Sequence, residues 1–111
     1  MKKYFHQKLI RDKIPKFIEA SDEPFETRVM KKKEFEKELK RKLVEEASEL
    51  IRAKRANLDN EMADVLELLK SIASFYKIDF NQIEEKQIKK RKERGGFKKR
   101  LFLIWSSRAS G

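Results

Sequence analysis

The sequence has no cysteine and one histidine, His6, among its 111 residues. Disulfides and thiolate metal sites are thereby excluded, and a zinc site of the usual Cys/His kinds has too few ligands. Any metal here would be held by oxygen. Glycine and proline are scarce, three and two residues, which disfavours a β-sandwich or a disordered chain. No apolar run approaches the roughly 20 residues that cross a bilayer, and the opening MKKYFHQKLIRDK lacks the apolar stretch of a signal peptide. A cytoplasmic protein without a membrane span is expected.

What the chain has in quantity is charge. Charged residues make up 43% and hydrophobic residues 39%, the balance of a helical, charge-covered globule. At this length one compact all-α domain over residues 1–111 is expected, with 105–111 as a frayed tail. The net charge is +10, unevenly placed. Residues 86–100 hold nine Lys/Arg against one Glu, residues 1–16 hold six against Asp12, and residues 17–85 are net acidic. Two basic ends around an acidic middle fit a site where metal-binding carboxylates face phosphate-binding cations.

Periodicity predicts a helix from about Ile14, with Pro15 in its first turn or as a kink, and a loop with a short extended piece over 21–30. A long helix is predicted from Glu34 to about Arg55 and another from Leu58 to Tyr76, with a turn between them. Asp79, with Gln82 three residues on, predicts a capping box for a last helix that stops at Gly95-Gly96. FKKRLFLIW, after it, reads as extended or helical.

Carboxylates sit where the apolar repeat expects hydrocarbon. At about 100° per residue, with Leu43 as zero, Leu39, Ala47 and Leu50 fall within about 40° of it, Glu46 at about −60° and Glu49 at about −120°. Glu45 points to about −160°, away from the core. In the next helix Leu58, Met62, Val65, Leu69, Ile72 and Tyr76 define a seam. With Val65 as zero, Glu61 falls at about −40° and Asp64 at about −100°. A short turn makes the two helices antiparallel neighbours, so the pairs Glu46/Glu49 and Glu61/Asp64 can converge. Four half-buried carboxylates repel and lose hydration, a cost of several kcal/mol that Mg²⁺ or Mn²⁺ would offset. The bland alternative is an ordinary solvated helix face paired with Lys42, Arg52 and Lys54.

Glu45-Glu46-x-x-Glu49, followed after eleven residues by Glu61-x-x-Asp64, resembles the EExxE…ExxD signature of the all-α nucleoside triphosphate pyrophosphohydrolases, the MazG-like superfamily. KLIRDKIPKFI (8–18) and ERGGFKKRLFL (93–103) resemble the opening and closing motifs of its phosphoribosyl-ATP pyrophosphohydrolase-like branch. The resemblance covers about Lys8 to Leu103. It implies a four-helix, oligomeric all-α fold and Mg²⁺-dependent cleavage between the α and β phosphates, giving a monophosphate and pyrophosphate. It implies Glu46, Glu49, Glu61 and Asp64 as metal ligands, with support of a ligand from behind or a subunit contact for Glu45 as an alternative to ligation.

In such a site Glu46 or Glu49 is the candidate to orient or deprotonate water. Lys8, Arg11 and Lys13 from the opening motif, and Lys90, Arg91 and Arg94 from the closing one, are the candidates for binding phosphate. For any single Lys a solvated surface role competes. Phe97, Phe102 and Trp105 fit either base stacking or a core or subunit contact. Leu66 and Leu68, beside the seam, leave apolar surface for a partner, so a homodimer or homotetramer is expected. The rival function is a nucleic-acid-binding helical module using the basic run from Lys86 to Arg100.

Overall fold

The computed structural model describes residues 2–109. Four α-helices follow one another: α1 (Ile14–Ala20), α2 (Lys32–Arg52), α3 (Leu58–Phe75) and α4 (Phe80–Arg94), with a short 3₁₀ turn, Arg55–Asn57, before α3. The described residues contain no strand, and 21–30 is irregular chain after a turn at 21–22. Among the described residues no helix is long and apolar enough to cross a membrane. The chain divides into two compact units, one ending at Ile78 and the other beginning at Asp79.

In the first unit, Pro15 stands in the opening turn of α1, where its missing N–H costs no helical bond. The helix closes at Ser21, whose hydroxyl donates to the Ile18 carbonyl at 2.8 Å. Arg28 grips Glu34, in the first turn of α2, with two 2.7 Å bonds and so ties the irregular 21–31 segment to that helix. These bonds hold the Glu34 carboxyl below its ordinary range.

Helices α2 and α3 pack against each other. The first turn of α2 meets the end of α3 through Phe35 and Phe75, edge to face at 5.7 Å. The Tyr76 hydroxyl donates to Glu36 Oε2 at 2.6 Å, and Lys40 Nζ lies 5.3 Å over the Tyr76 ring. Leu39 and Leu68 are buried, 3% and 7% exposed, as is Ala73 at 3%. At the end of α3, Lys77 takes a left-handed conformation (φ 57°). That turn lets the Ile78 N–H reach the Ala73 carbonyl at 2.8 Å.

The line of α3 that meets α2 differs from the expected seam. It runs through Glu61, Asp64, Val65, Leu68, Ser71, Ile72 and Phe75, all buried or half-buried, whereas Met62 is 60% exposed and Leu69 and Tyr76 are also open. The apolar arc of α3 is broad enough to serve two faces, and the packed one lies about 60° round the axis from the assigned centre. Leu68 is therefore core, not spare surface, while Leu66 does lie exposed.

In the second unit, Asp79 caps α4 by accepting the Asn81 N–H at 3.0 Å, so the cap works through Asn81 and not through the Gln82 backbone. The helix stops at Gly95, whose φ of 83° disfavours any residue with a Cβ. Beyond it a turn at Lys98-Lys99 leads into irregular chain. Phe97, Phe102 and Trp105 are exposed and fill no core of the single chain. The frayed tail expected from 105 has no regular structure over 105–109, and its last two residues lie outside those described.

Candidate metal centre

Acids from the two packed helices come together where α2 meets α3. Glu46 on α2 and Glu61 and Asp64 on α3 each bring a carboxylate oxygen within 4.8 Å of the others, and all three are half-buried. Glu46 is also common to a second group, with Glu45 and Glu49, under the same 4.8 Å limit. Three of the four expected ligands thus share one cluster, and Glu49 joins it through Glu46. Glu45 is exposed yet contributes an oxygen to the second group, closer to the centre than its position on the helical wheel implied.

The hydrogen bonding of these acids is incomplete. Glu46 Oε2 and Glu61 Oε2 are buried without any hydrogen-bond partner. Leaving such a group unsatisfied costs about 1–3 kcal/mol, more when it is charged. One oxygen of each acid does have a partner: Lys42 Nζ lies 3.8 Å from Glu46 Oε1, and Asn57 Nδ2 is 3.4 Å from Glu61 Oε1. Arg11 Nη2 donates to Asp64 Oδ1 at 2.7 Å. Burial pushes the Glu46 carboxyl above its ordinary range, the charges of Glu49 and Asp64 push the same way, and Lys42 opposes them. The first turn of α3 carries Asp59 and Glu61 at the positive end of the helix dipole, which offsets part of the repulsion.

These observations fit a hard divalent cation. Such an ion takes carboxylate oxygens, and the two orphaned atoms are the ones that gain most from a ligand. The salt-bridged alternative holds for one oxygen each of Glu46 and Asp64, but it leaves the two buried oxygens untouched.

A cleft of about 240 Å³ opens beside the acids, lined on one side by Leu9, Ile10, Arg11 and Asp12 and on the other by residues including Lys42, Glu46 and Asp64. The opening motif thus lies along the cluster. A more open groove of about 360 Å³ beside Phe35 and Phe75 has Glu67 as the one acid in its lining and lacks the donor set for a cation.

Of the expected phosphate ligands, Arg11 stands at the cluster, and Lys8 and Lys13 are exposed on either side of it in sequence. Lys90, Arg91 and Arg94 lie on the last turns of α4, in the second unit, and are exposed. The Arg91 guanidinium lies against Gly96, where a Cβ would meet its Nε at 3.7 Å. Sequence reasoning placed Arg11 among phosphate binders but gave no sign of its bond to Asp64. Nothing in the spacing signals a contact across 53 residues.

Comparison with curated proteins and with solved structures returns no match. The profile of the MazG nucleotide pyrophosphohydrolase domain matches residues 34–96, more than half of the chain and the whole of the acidic motif. An all-helical chain with paired acids on two packed helices, matched over that span, belongs to the MazG nucleotide pyrophosphohydrolase family.

Proposed function

We propose that the protein hydrolyses a nucleoside triphosphate between the α and β phosphates, with Glu46, Glu49, Glu61 and Asp64 of an antiparallel α2–α3 pair holding Mg²⁺ or Mn²⁺. The observation that carries this reading is the pair of buried, unpartnered oxygens on Glu46 and Glu61, within a three-acid cluster, in a chain of this family. A divalent ion bound there supplies charge neutralisation to the phosphate oxygens and acidity to water.

The chain's own residues supply the rest. Glu46, whose carboxyl is displaced toward neutrality, or Glu49 beside it, accepts the proton of the attacking water. The oxygen–phosphorus bond then forms as the bridging P–O bond breaks, and its electron pair leaves with pyrophosphate. Lys8, Arg11 and Lys13 are the nearest candidates to meet the developing charge, and Lys90, Arg91 and Arg94 are candidates through the closing motif alone.

One functional domain is supported by the family match, which runs from 34 to 96 across the boundary between the units. The exposed face of Met62, Leu66 and Leu69 supports a homodimer or homotetramer. The motifs at 8–18 and 93–103 favour the phosphoribosyl-ATP pyrophosphohydrolase-like branch, and a nucleotide-pool-cleaning role follows from that kinship.

The test is release of pyrophosphate from a panel of nucleoside triphosphates with Mg²⁺, Mn²⁺ or EDTA. Glu49→Ala and Asp64→Ala should each lower turnover by at least a hundredfold, about 2.7 kcal/mol, with helical circular dichroism retained. No pyrophosphate from any nucleotide would defeat the reading. The exposed basic run on α4 favours a second reading, nucleic-acid binding without catalysis. It requires affinity for DNA or RNA that falls steeply with salt and survives both substitutions.

A further inference from the structure

The proposed cation site already contains a positive charge, and it arrives from outside the two helices. Arg11 lies in the irregular segment before α1, yet its Nη2 donates to Asp64 Oδ1 at 2.7 Å. Both side chains are substantially exposed, 60% and 40%. An exposed ion pair of this kind contributes little to stability, so it exchanges readily for a better partner. Asp64 belongs to the same cluster as Glu46 and Glu61, each of which has one buried oxygen without a hydrogen-bond partner. The guanidinium therefore neutralises the accessible acid, whereas the less accessible pair has only Lys42, 3.8 Å from Glu46 Oε1, as a counterion. Its own segment, Leu9 to Asp12, lines the cleft beside the acids.

Resting on the metal-site reading above, we propose that Arg11 is an exchangeable counterion. In the cation-free protein it holds Asp64 and draws the 9–12 segment over the cluster. A divalent ion that takes Asp64 displaces it, and the released guanidinium, still tethered at the cleft, then pairs with the polyphosphate. One side chain would so link cation loading to substrate capture. A planar fork of N–H donors suits both partners, since carboxylate and phosphate present the same pair of oxygens.

This assignment makes Arg11 act in opposite senses on two ligands, which a strut that merely held the fold would not do. The experiment compares wild type, Arg11→Ala and Lys13→Ala, all checked by circular dichroism. Calorimetry measures binding of Mn²⁺ alone and of the Mn²⁺–tripolyphosphate complex, which needs no knowledge of the base. Arg11→Ala should bind Mn²⁺ roughly two- to fivefold more tightly, the fold-change that freeing an exposed pair allows. The same variant should bind Mn²⁺–tripolyphosphate at least tenfold more weakly. Lys13→Ala, which removes a neighbouring charge without an Asp64 contact, should leave Mn²⁺ affinity within about 1.5-fold of wild type, so that generic charge removal is separated from displacement.

Arg11→Ala weakening both ligands, or leaving Mn²⁺ affinity unchanged while wild type binds the ion, would overturn the exchange and spare the metal site. Absence of Mn²⁺ binding by wild type would instead remove the metal site, and this proposal with it.

Discussion

Replacing Glu61 by glutamine should stabilise the cation-free protein, the reverse of what a structural salt bridge predicts. Glu61 Oε2 is buried without a partner, and a Glu61 oxygen lies within 4.8 Å of oxygens from Glu46 and Asp64. Two like charges at that distance repel by roughly 3.5 kcal/mol at an effective dielectric near 20, and by about 0.9 kcal/mol in water. Lys42 and Arg11 offset part of this for the neighbours. Neutralising the first turn of α3 also forfeits about 0.3–1 kcal/mol of dipole stabilisation. The amide keeps an oxygen for Asn57 and turns an N–H₂ donor toward the carboxylates. A net gain of about 1–2 kcal/mol remains. Urea denaturation in EDTA at fixed protein concentration measures it. Saturating Mg²⁺ should then stabilise wild type and fail to stabilise the variant, reversing their order. Loss of stability by Glu61→Gln in EDTA would show that the carboxylate is satisfied in the fold, and the reasoning behind the metal site would fail.

Two further outcomes follow from the same geometry. Because burial raises the folded-state pKa of Glu46 above the ordinary 4.5, the native chain holds a proton that the unfolded chain has released, so cation-free stability should fall as pH rises through that window. Glu34 acts oppositely, its contribution being lost as pH falls, so the comparison is the flatter profile expected of Glu46→Gln; identical slopes would refute the assignment. The exposed face of Met62, Leu66 and Leu69 predicts a melting temperature that climbs with protein concentration, and a constant value over a hundredfold dilution would argue against self-association.

The helices were legible because each local signal agreed with the others. Pro15 opens α1, Asp79 caps α4 and Gly95 ends it, and each of these depends on a residue's own backbone chemistry. The displacement of Glu46 and Glu61 toward the core was also legible, since angles around one helix follow from residue spacing alone. The direction of the neighbouring helix does not follow from it. On α3 the apolar arc includes both Met62 and Leu68, and spacing gives no reason to bury Leu68 at 7% and leave Met62 at 60%. The Arg11–Asp64 bond depends on the path of an irregular segment, for which no periodicity exists.

The order in which the acids are satisfied separates a functional cluster from a structural one. A network selected for stability pairs its most buried oxygens first and leaves exposed ones to water, because the penalty for an unmet hydrogen bond grows with burial. Here the shortest bond, 2.7 Å, goes to Asp64, whose side chain is 40% exposed. Glu46, at 12%, has a lysine at 3.8 Å on one oxygen and nothing on the other. Glu61 has no ion pair among the described residues and a single long bond from Asn57. Stability has been given up at the innermost point of the cluster and kept at its rim. A nucleic-acid ligand gives no reason for that arrangement, since buried carboxylates repel phosphate, whereas a small divalent ion would reach the orphaned oxygens and would reverse the sign of the site toward a polyphosphate.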